Sequence, residues 1–292
     1  MRFTRREFVA GGAAWAASAL SPRSALARVP GALPSGGFAM GIQSFTLRKL
    51  PLDAMLDAVA RFGLRHVELI PETKLWFYEL GSHFPVTEDP AEIARVRAAL
   101  EARGIALAAS GVHGVADEAE ARRLFAFAKA ARIPLLTVMP DDAALAALDR
   151  LCAEHPEVRL GIHNHGPFFR YDRIADVEAS LAGRAPGFGA CVDTGHFIRS
   201  GEDPVEAVRR LGPRVHGVHL KDFRSEGFLA SGCILGQGKL DLDALFGALR
   251  VIGFGPGRAL SLEYEENADD PIADVEACLS AASAAAERAA RG

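Results

Sequence analysis

Residues 188–222 read FGACVDTGHFIRSGEDPVEAVRRLGPRVHGVHLKD, and this stretch decides the fold. Phe188–Thr194 is a short apolar run rich in β-forming residues, Pro204–Leu211 is amphipathic, and Val215–Lys221 is apolar and β-rich again. Asp203-Pro204 supplies an N-cap followed by a first-turn proline, and Gly212 supplies a helix stop. The order strand, helix, strand is one βα unit handing over to the next. Both strands also carry polar side chains near their ends, Asp193 in the first and His219 in the second, where burial alone would favour apolar ones.

Working outward, the same unit recurs along the chain. Strands are predicted at Met40–Phe45, His66–Ile70, Ile105–Gly111, Leu135–Met139, Val158–His165, Phe188–Thr194, Val215–Lys221 and Ala259–Glu265. Helices are predicted at Leu52–Phe62, Pro90–Arg103, Ala119–Arg132, Asp142–Glu154, Ile174–Leu181, Pro204–Leu211, Leu242–Ile252 and Ile272–Ala290. Asp89-Pro90 and Asp270-Pro271 repeat the capping signal of Asp203-Pro204, while Gly63, Gly104 and Gly253 close helices. Eight such units in one uninterrupted run predict a single α/β domain, a (β/α)8 TIM barrel. A doubly wound sheet would usually carry a Gly-rich phosphate loop after its first strand. Here that position reads Gln43-Ser44-Phe45-Thr46-Leu47-Arg48.

The first residues speak of address rather than fold. Arg5-Arg6, inside Thr4–Val9, precedes a Gly/Ala-rich apolar stretch ending Ala25-Leu26-Ala27, the pattern of a cleavable twin-arginine export signal. The apolar run from Phe8 to Leu20 is too short and too Gly-rich to span a bilayer, so no stable membrane anchor is expected after cleavage. The expected organisation is a signal at 1–27 and a barrel at 28–292, with a periplasmic destination. Cleavage removes Arg2, Arg5, Arg6 and Arg23 together with Glu7, taking the formal charge from −4 to about −7. An acidic surface argues against nucleic acid as a partner. Cys152, Cys191, Cys233 and Cys278 show no C-x-x-C spacing, which disfavours a zinc ribbon or a redox dithiol and favours isolated buried thiols.

In a barrel of this kind, catalytic groups project from the C-terminal ends of the strands. Glu68 ends the second predicted strand, His163-Asn164-His165 the fifth, Asp193-Thr194-Gly195-His196 the sixth, His219-Leu220-Lys221-Asp222 the seventh, and Glu263 the eighth. Alternate residues of a barrel strand face the interior. That parity turns His163, His165, Cys191, Asp193, His219, Lys221, Ser261 and Glu263 inward, and places Leu160, Ile162, Val192, Val218, Leu220, Leu260 and Leu262 under the helices. Any one of the polar residues alone is more often a cap or a loop anchor than a ligand. Together they converge, and burying two carboxylates with several imidazoles and no cation would cost several kcal/mol. Imidazole combined with carboxylate suits one divalent ion, Mn, Zn, Co or Mg, with positions left open for substrate.

At these residues the chain resembles the xylose isomerase-like TIM-barrel superfamily, the group of sugar phosphate isomerases/epimerases and inosose dehydratase-like proteins. The resemblance covers essentially all of 28–292. It rests on the order and spacing of VEL at Val67–Leu69, VDTGH at Val192–His196, HLKD at His219–Asp222, LGQG at Leu235–Gly238 and LEYE at Leu262–Glu265. It implies one metal held by His163, Asp193, His219 and Glu263, with His196 as a substrate contact. The fifth strand departs from the family pattern, because His163-Asn164-His165 stands where Glu-Asn-His is usual. Epimerase relatives use glutamates of the fifth and eighth strands as a symmetric acid/base pair, and this chain keeps only Glu263 of that pair. Glu68, His165, Lys221 or His113 would supply the second group, and His113, Trp76 and Arg224 join His196 as candidate substrate contacts.

The resemblance implies a metal-dependent enzyme acting on a keto-sugar or 3-keto-glycoside by isomerisation, epimerisation or lyase-type elimination. In each case the metal polarises a carbonyl while a base removes the proton on the adjacent carbon, giving an enediolate. Export, and the lack of a dense basic or Gly-rich phosphate cradle at the strand ends, favour a neutral sugar over a sugar phosphate. The segment Lys74–Pro85, with Trp76, Phe77, Tyr78, His83 and Phe84, is either a stacking surface or a hydrophobic plug. One alternative is a non-catalytic exported sugar-binding barrel, which the missing fifth-strand glutamate favours. A more remote one is an apurinic-endonuclease-like nuclease, which would need a three-zinc ligand set and a basic face. A small carbohydrate is the expected partner, and a homo-oligomer is left open.

Overall fold

The computed structural model describes residues 35–292 except 72, 76, 77, 81, 82 and 256. The expected export signal at 1–27, and the candidate contact Trp76, lie outside the described residues. Eight parallel strands close a barrel: β1 Met40–Gln43, β2 His66–Leu69, β3 Ala106–Val115, β4 Leu135–Pro140, β5 Arg159–His163, β6 Phe188–Asp193, β7 Val215–Leu220 and β8 Ala259–Leu262. Each pairs with its sequence neighbours, and β8 pairs with β1 to close the ring. The architecture is that of a single (β/α)8 TIM barrel.

The helices are α1 Leu52–Arg61, α2 Pro90–Glu101, α3 Glu118–Ala131, α4 Asp142–Glu154, α5 Ile174–Leu181, α6 Thr194–Arg199, α7 Pro204–Leu211, α8 Leu242–Val251 and α9 Ile272–Arg291. Asp89 and Asp203 cap α2 and α7 by accepting the amides of Ala91 and Val205, each ahead of a first-turn proline. Gly253, at φ +66°, turns the chain out of α8. The third capping signal works differently: Pro271 is itself the N-cap of α9, and Asp270 donates its amide to Asn267 O. The short helix α6 has no counterpart among the predicted helices. No helix among the described residues is long and apolar enough to cross a membrane.

The outward-facing residues of the strands are buried beneath the helices, with Leu160, Ile162, Val192, Val218, Leu220, Leu260 and Leu262 all at 1 % exposure or less. Each such side chain contributes about 1.5–3 kcal/mol of apolar burial. Register sets the height of the inward set. Asp193 lies opposite His219, Ser261 opposite His219, His163 opposite Cys191, and Gln43 opposite Glu68. β5 to β8 stop short of their predicted ends, because His165, Thr194, Lys221 and Glu263 leave the ladder to build the barrel mouth. β3 instead runs on to Val115. All four cysteines are buried and free.

Candidate active site

The motifs first earn their places structurally. Asn164 donates its side-chain amide to Asp193 O (2.9 Å) and accepts Asp193 N (2.7 Å), tying the end of β5 to that of β6. Thr194 Oγ donates to Lys221 O (2.6 Å) and accepts Lys221 N (2.9 Å), tying β6 to β7. Asp193 caps α6, one carboxylate oxygen accepting His196 N at 2.7 Å, and this leaves the other oxygen, Oδ2, free to point inward. Gly195 is required at the next position: a Cβ there would lie 2.6 Å from Lys221 Cγ and 2.8 Å from the Phe223 ring. Asp222 explains why HLKD and LGQG occur together, since its carboxylate accepts the amides of Gly236, Gly238 and Leu240 at 2.9–3.0 Å.

The inward residues then meet. Asp193, His219 and Glu263 bring one ligand atom each within 4.8 Å of one another. His163 forms a second such group with Asp193 and His196, and a third with Cys191 and His219. His219 Nδ1 lies 2.9 Å from Glu263 Oε2 and 4.0 Å from Asp193 Oδ2. Lys221 Nζ sits 3.2 Å from Asp193 Oδ2, 3.1 Å from Glu263 Oε2 and 2.7 Å from Glu265 Oε1. Despite these short distances, Asp193 Oδ2, His219 Nδ1, Glu263 Oε2, His163 Nδ1 and His165 Nδ1 are buried without a properly directed hydrogen bond. Proximity without alignment is what a shared cation, rather than mutual hydrogen bonding, requires of donor atoms. The donor set of imidazoles and carboxylates fits one divalent ion.

Electrostatics agree. Burial pushes the Asp193 carboxyl up to about 7, with Glu263 adding to the rise and Lys221 opposing it. Burial opposes ionisation of Glu263 too, but Lys221 and His219 hold it well below the usual carboxylate range. His219, though burial disfavours its charge, is held above its ordinary value by Cys191, Glu68 and Glu263. The pocket therefore favours positive charge between His219 and Glu263. Burial keeps His163 and His196 far below the ordinary imidazole value and His165 down at about 4, so all three are neutral donors. Lys221 remains an ammonium, because Asp193, Glu263 and Glu265 outweigh its burial.

The remaining candidates separate clearly. Glu68 lies beneath His219, fully buried, accepting from Thr137 Oγ (2.6 Å), Ser261 Oγ (3.0 Å) and His219 Nε2 (2.9 Å). With both oxygens engaged, it is placed to orient His219 rather than to exchange protons at the mouth. His165 stacks on His196 at 4.1 Å and meets Phe169 at 4.2 Å. His113 is buried on β3 and pairs with Ser110 Oγ at 3.1 Å. Arg224 is exposed, and its backbone amide donates to Ser231 O. Of the predicted aromatic segment, Thr73–Leu75 and Tyr78–Leu80 pair as a small hairpin, whereas His83 and Phe84 are core: His83 bonds Leu50 O and Phe84 packs edge-on against Phe127. For those two residues the plug, not the stacking surface, describes the structure.

Four residues at the mouth escaped the sequence reading. Arg199, one helical turn after His196, sits 3.3 Å from its Nδ1 and donates to Phe228 O. Glu265 is the third carboxylate on Lys221. Phe168 and Phe228, from the loops after β5 and β7, are exposed yet bring their rings within 5.9 Å. Phe168 holds φ +76°, a conformation an L-residue adopts at a cost of about 1–2 kcal/mol.

Comparison with known proteins places this geometry. The family model described as xylose isomerase-like TIM barrel matches residues 56–282. The chain is 32% identical over 177 residues to 3-oxo-isoapionate decarboxylase of Pectobacterium atrosepticum, covering 55% of this chain and 62% of that protein. It is 28% identical over 95 residues to inosose dehydratase of Clostridium botulinum, covering 27% of this chain and 32% of that one. The chain thus spans less than two thirds of the curated relatives it matches. In structure it resembles a xylose isomerase domain protein from Planctomyces limnophilus, with TM-score 0.68 and 16% identity over 88% of this chain and all of the other.

Proposed function

Since the chain belongs to the xylose isomerase-like TIM-barrel family, we propose that it is a sugar-modifying enzyme that holds one divalent cation on His163, Asp193, His219 and Glu263 and acts on a keto-sugar or 3-keto-glycoside. The observation that carries this reading is the convergence of buried donor atoms left without aligned partners. A divalent ion there would supply Lewis-acid polarisation of the substrate carbonyl.

The protein's own groups do the rest. Ionised Glu263 takes the proton from the carbon beside the carbonyl. The Lys221 ammonium, already facing Asp193 and Glu263, stabilises negative charge that develops on the adjacent oxygen. His196, 3.4 Å from Lys221 Nζ and fixed by Arg199, and His165 stacked on it are neutral hydrogen-bonding contacts, so the acid of the reaction is the Lys221 ammonium. A carboxylate base beside an ammonium acid is a mismatched pair. It suits elimination better than the symmetric proton exchange of an epimerase. On a 3-keto-glycoside the proton leaves C2 for Glu263, its electron pair forms the C1–C2 double bond, the C1–O bond breaks, and the aglycone departs with a proton from the Lys221 ammonium, which protonated Glu263, 3.1 Å away, recharges. Phe168 and Phe228 form an apolar platform beside this exit.

A second reading is decarboxylation of a 3-oxo acid, in which the bond to the carboxyl carbon breaks, carbon dioxide leaves and the carbon is reprotonated. Arg199, whose Nε is buried without a partner, and the decarboxylase relative support it. Export to the periplasm is part of the proposal and rests on Arg5-Arg6 and Ala25–Ala27. The test is incubation of metal-loaded protein with an aryl 3-keto-glucoside and with a sugar-derived 3-oxo acid. Aglycone release supports elimination and carbon dioxide release alone supports the second reading. Failure of both, with metal bound, returns the chain to a binding role.

A further inference from the structure

The face opposite the mouth carries a cavity in which Arg159, His216 and Arg258 stand among mostly apolar residues. Arg159 begins β5, Gly187 precedes β6, Pro213 and His216 flank the start of β7, and Arg258 precedes β8. With Cys152 they line a cavity of about 550 Å³ at the N-terminal ends of the strands. Along β5, the four steps from Arg159 to His163 separate this face from the mouth by roughly 13 Å, so the cavity is distinct from the active site.

Its chemistry is one-sided. Arg258 Nη2 donates to Pro213 O and Arg159 Nη1 to Gly257 O, both at 3.3 Å, and among the described residues neither guanidinium has a carboxylate within ion-pair distance. Arg258 Nη1 is buried and has no acceptor among the described residues. Burial and neighbouring Arg159 pull Arg258 below its ordinary range. His216 donates Nδ1–H to Leu160 O at 2.8 Å, and burial, followed by Arg159, Arg258 and Arg214, pushes the imidazole down to about 4. Two cations, an orphan donor and a suppressed imidazole around one cavity form the complement of an anion.

We propose that Arg159, Arg258 and His216 form an oxyanion site on the N-terminal face of the barrel, taking a phosphate group either free or borne on a small metabolite. The anion accepts the Arg258 Nη1 hydrogen, relieves the repulsion between the two guanidiniums and favours protonation of His216. The cavity exceeds a bare phosphate, which leaves room for an attached polyol. The proposal is independent of the reaction assigned to the mouth.

The test is proton NMR of the His216 ring at neutral pH and fixed ionic strength while phosphate, glucose 6-phosphate or glucose is added to the metal-loaded protein. A saturable shift with the phosphorylated ligands and none with glucose is expected. Tighter binding of glucose 6-phosphate than of inorganic phosphate identifies a metabolite as the ligand, and the reverse order identifies free phosphate. Arg159→Gln and Arg258→Gln each weaken the midpoint by about tenfold or more, as loss of a charge-assisted hydrogen bond demands, and neither lowers the unfolding temperature in chloride. Asp193→Ala leaves the response intact, which separates this site from phosphate captured at the mouth. No shift up to on the order of 50 mM, unchanged midpoints in both arginine variants, or a response abolished by Asp193→Ala would overturn the proposal.

Discussion

Glu68→Gln separates positioning from proton transfer. Glu68 is fully buried, and its oxygens receive three hydrogens, from Thr137, Ser261 and His219. Glutamine offers one acceptor oxygen and turns an amide toward the remaining donors, so at least one of the three contacts is lost. A buried donor left unsatisfied costs about 1–3 kcal/mol. If the lost contact is the one to His219, orientation of a ligand imidazole is lost too, and such changes typically weaken metal binding about 10–100-fold, or about 1.4–2.7 kcal/mol. The assay is chelator competition for the metal, run beside thermal unfolding of the metal-free protein. Weaker metal affinity, with turnover largely restored at saturating metal, is expected. Wild-type metal affinity combined with lost turnover would show that Glu68 moves a proton, and the positioning role would be wrong.

Asp193→Ala and His219→Ala should each abolish retention of about one metal ion per chain, measured by elemental analysis after dialysis, since each removes a donor shared by two of the three ligand groups. Wild-type content in both would refute the ligand set. Gly195→Ala should destabilise the fold by about 1–3 kcal/mol in thermal unfolding, because its Cβ would meet Lys221 and Phe223 at 2.6–2.8 Å. An unchanged midpoint would show that the β6–β7 contact yields freely. Arg5→Lys with Arg6→Lys should hold the precursor in the cytoplasm on fractionation, and undiminished periplasmic accumulation would contradict the export reading.

The barrel was legible because the strands are short apolar runs, most of them bounded by Gly, because Asp-Pro marks two helix starts, and because period-two parity turns His163, Asp193, His219 and Glu263 to one side. Predicted strand ends overrun the observed ones where apolar character outlasts pairing, as at Tyr264, which is buried beyond β8. Helix α6 was hidden because its six residues follow the strand without a break, and its N-cap, Asp193, is also the strand's last residue. That omission concealed Arg199, which becomes visible once Thr194–Arg199 is drawn as a helix and His196 and Arg199 fall on the same face. Glu68 falls in the predicted second strand, but its contacts with Thr137, Ser261 and His219 across the barrel depend on register, which parity alone does not give. Phe168 and Phe228 carry no periodic signal at all, because they lie on loops and meet only through the closed barrel.

Enolisation at the mouth is the central claim, and proton NMR in deuterium oxide tests it most directly. A keto-glycoside incubated with metal-loaded protein should take up deuterium at the carbon next to its carbonyl. That exchange should disappear in Glu263→Gln, whose lost carboxylate is the assigned base, and on removal of the metal. Absence of exchange with every keto-sugar tried, while elemental analysis shows the metal in place, would contradict the account.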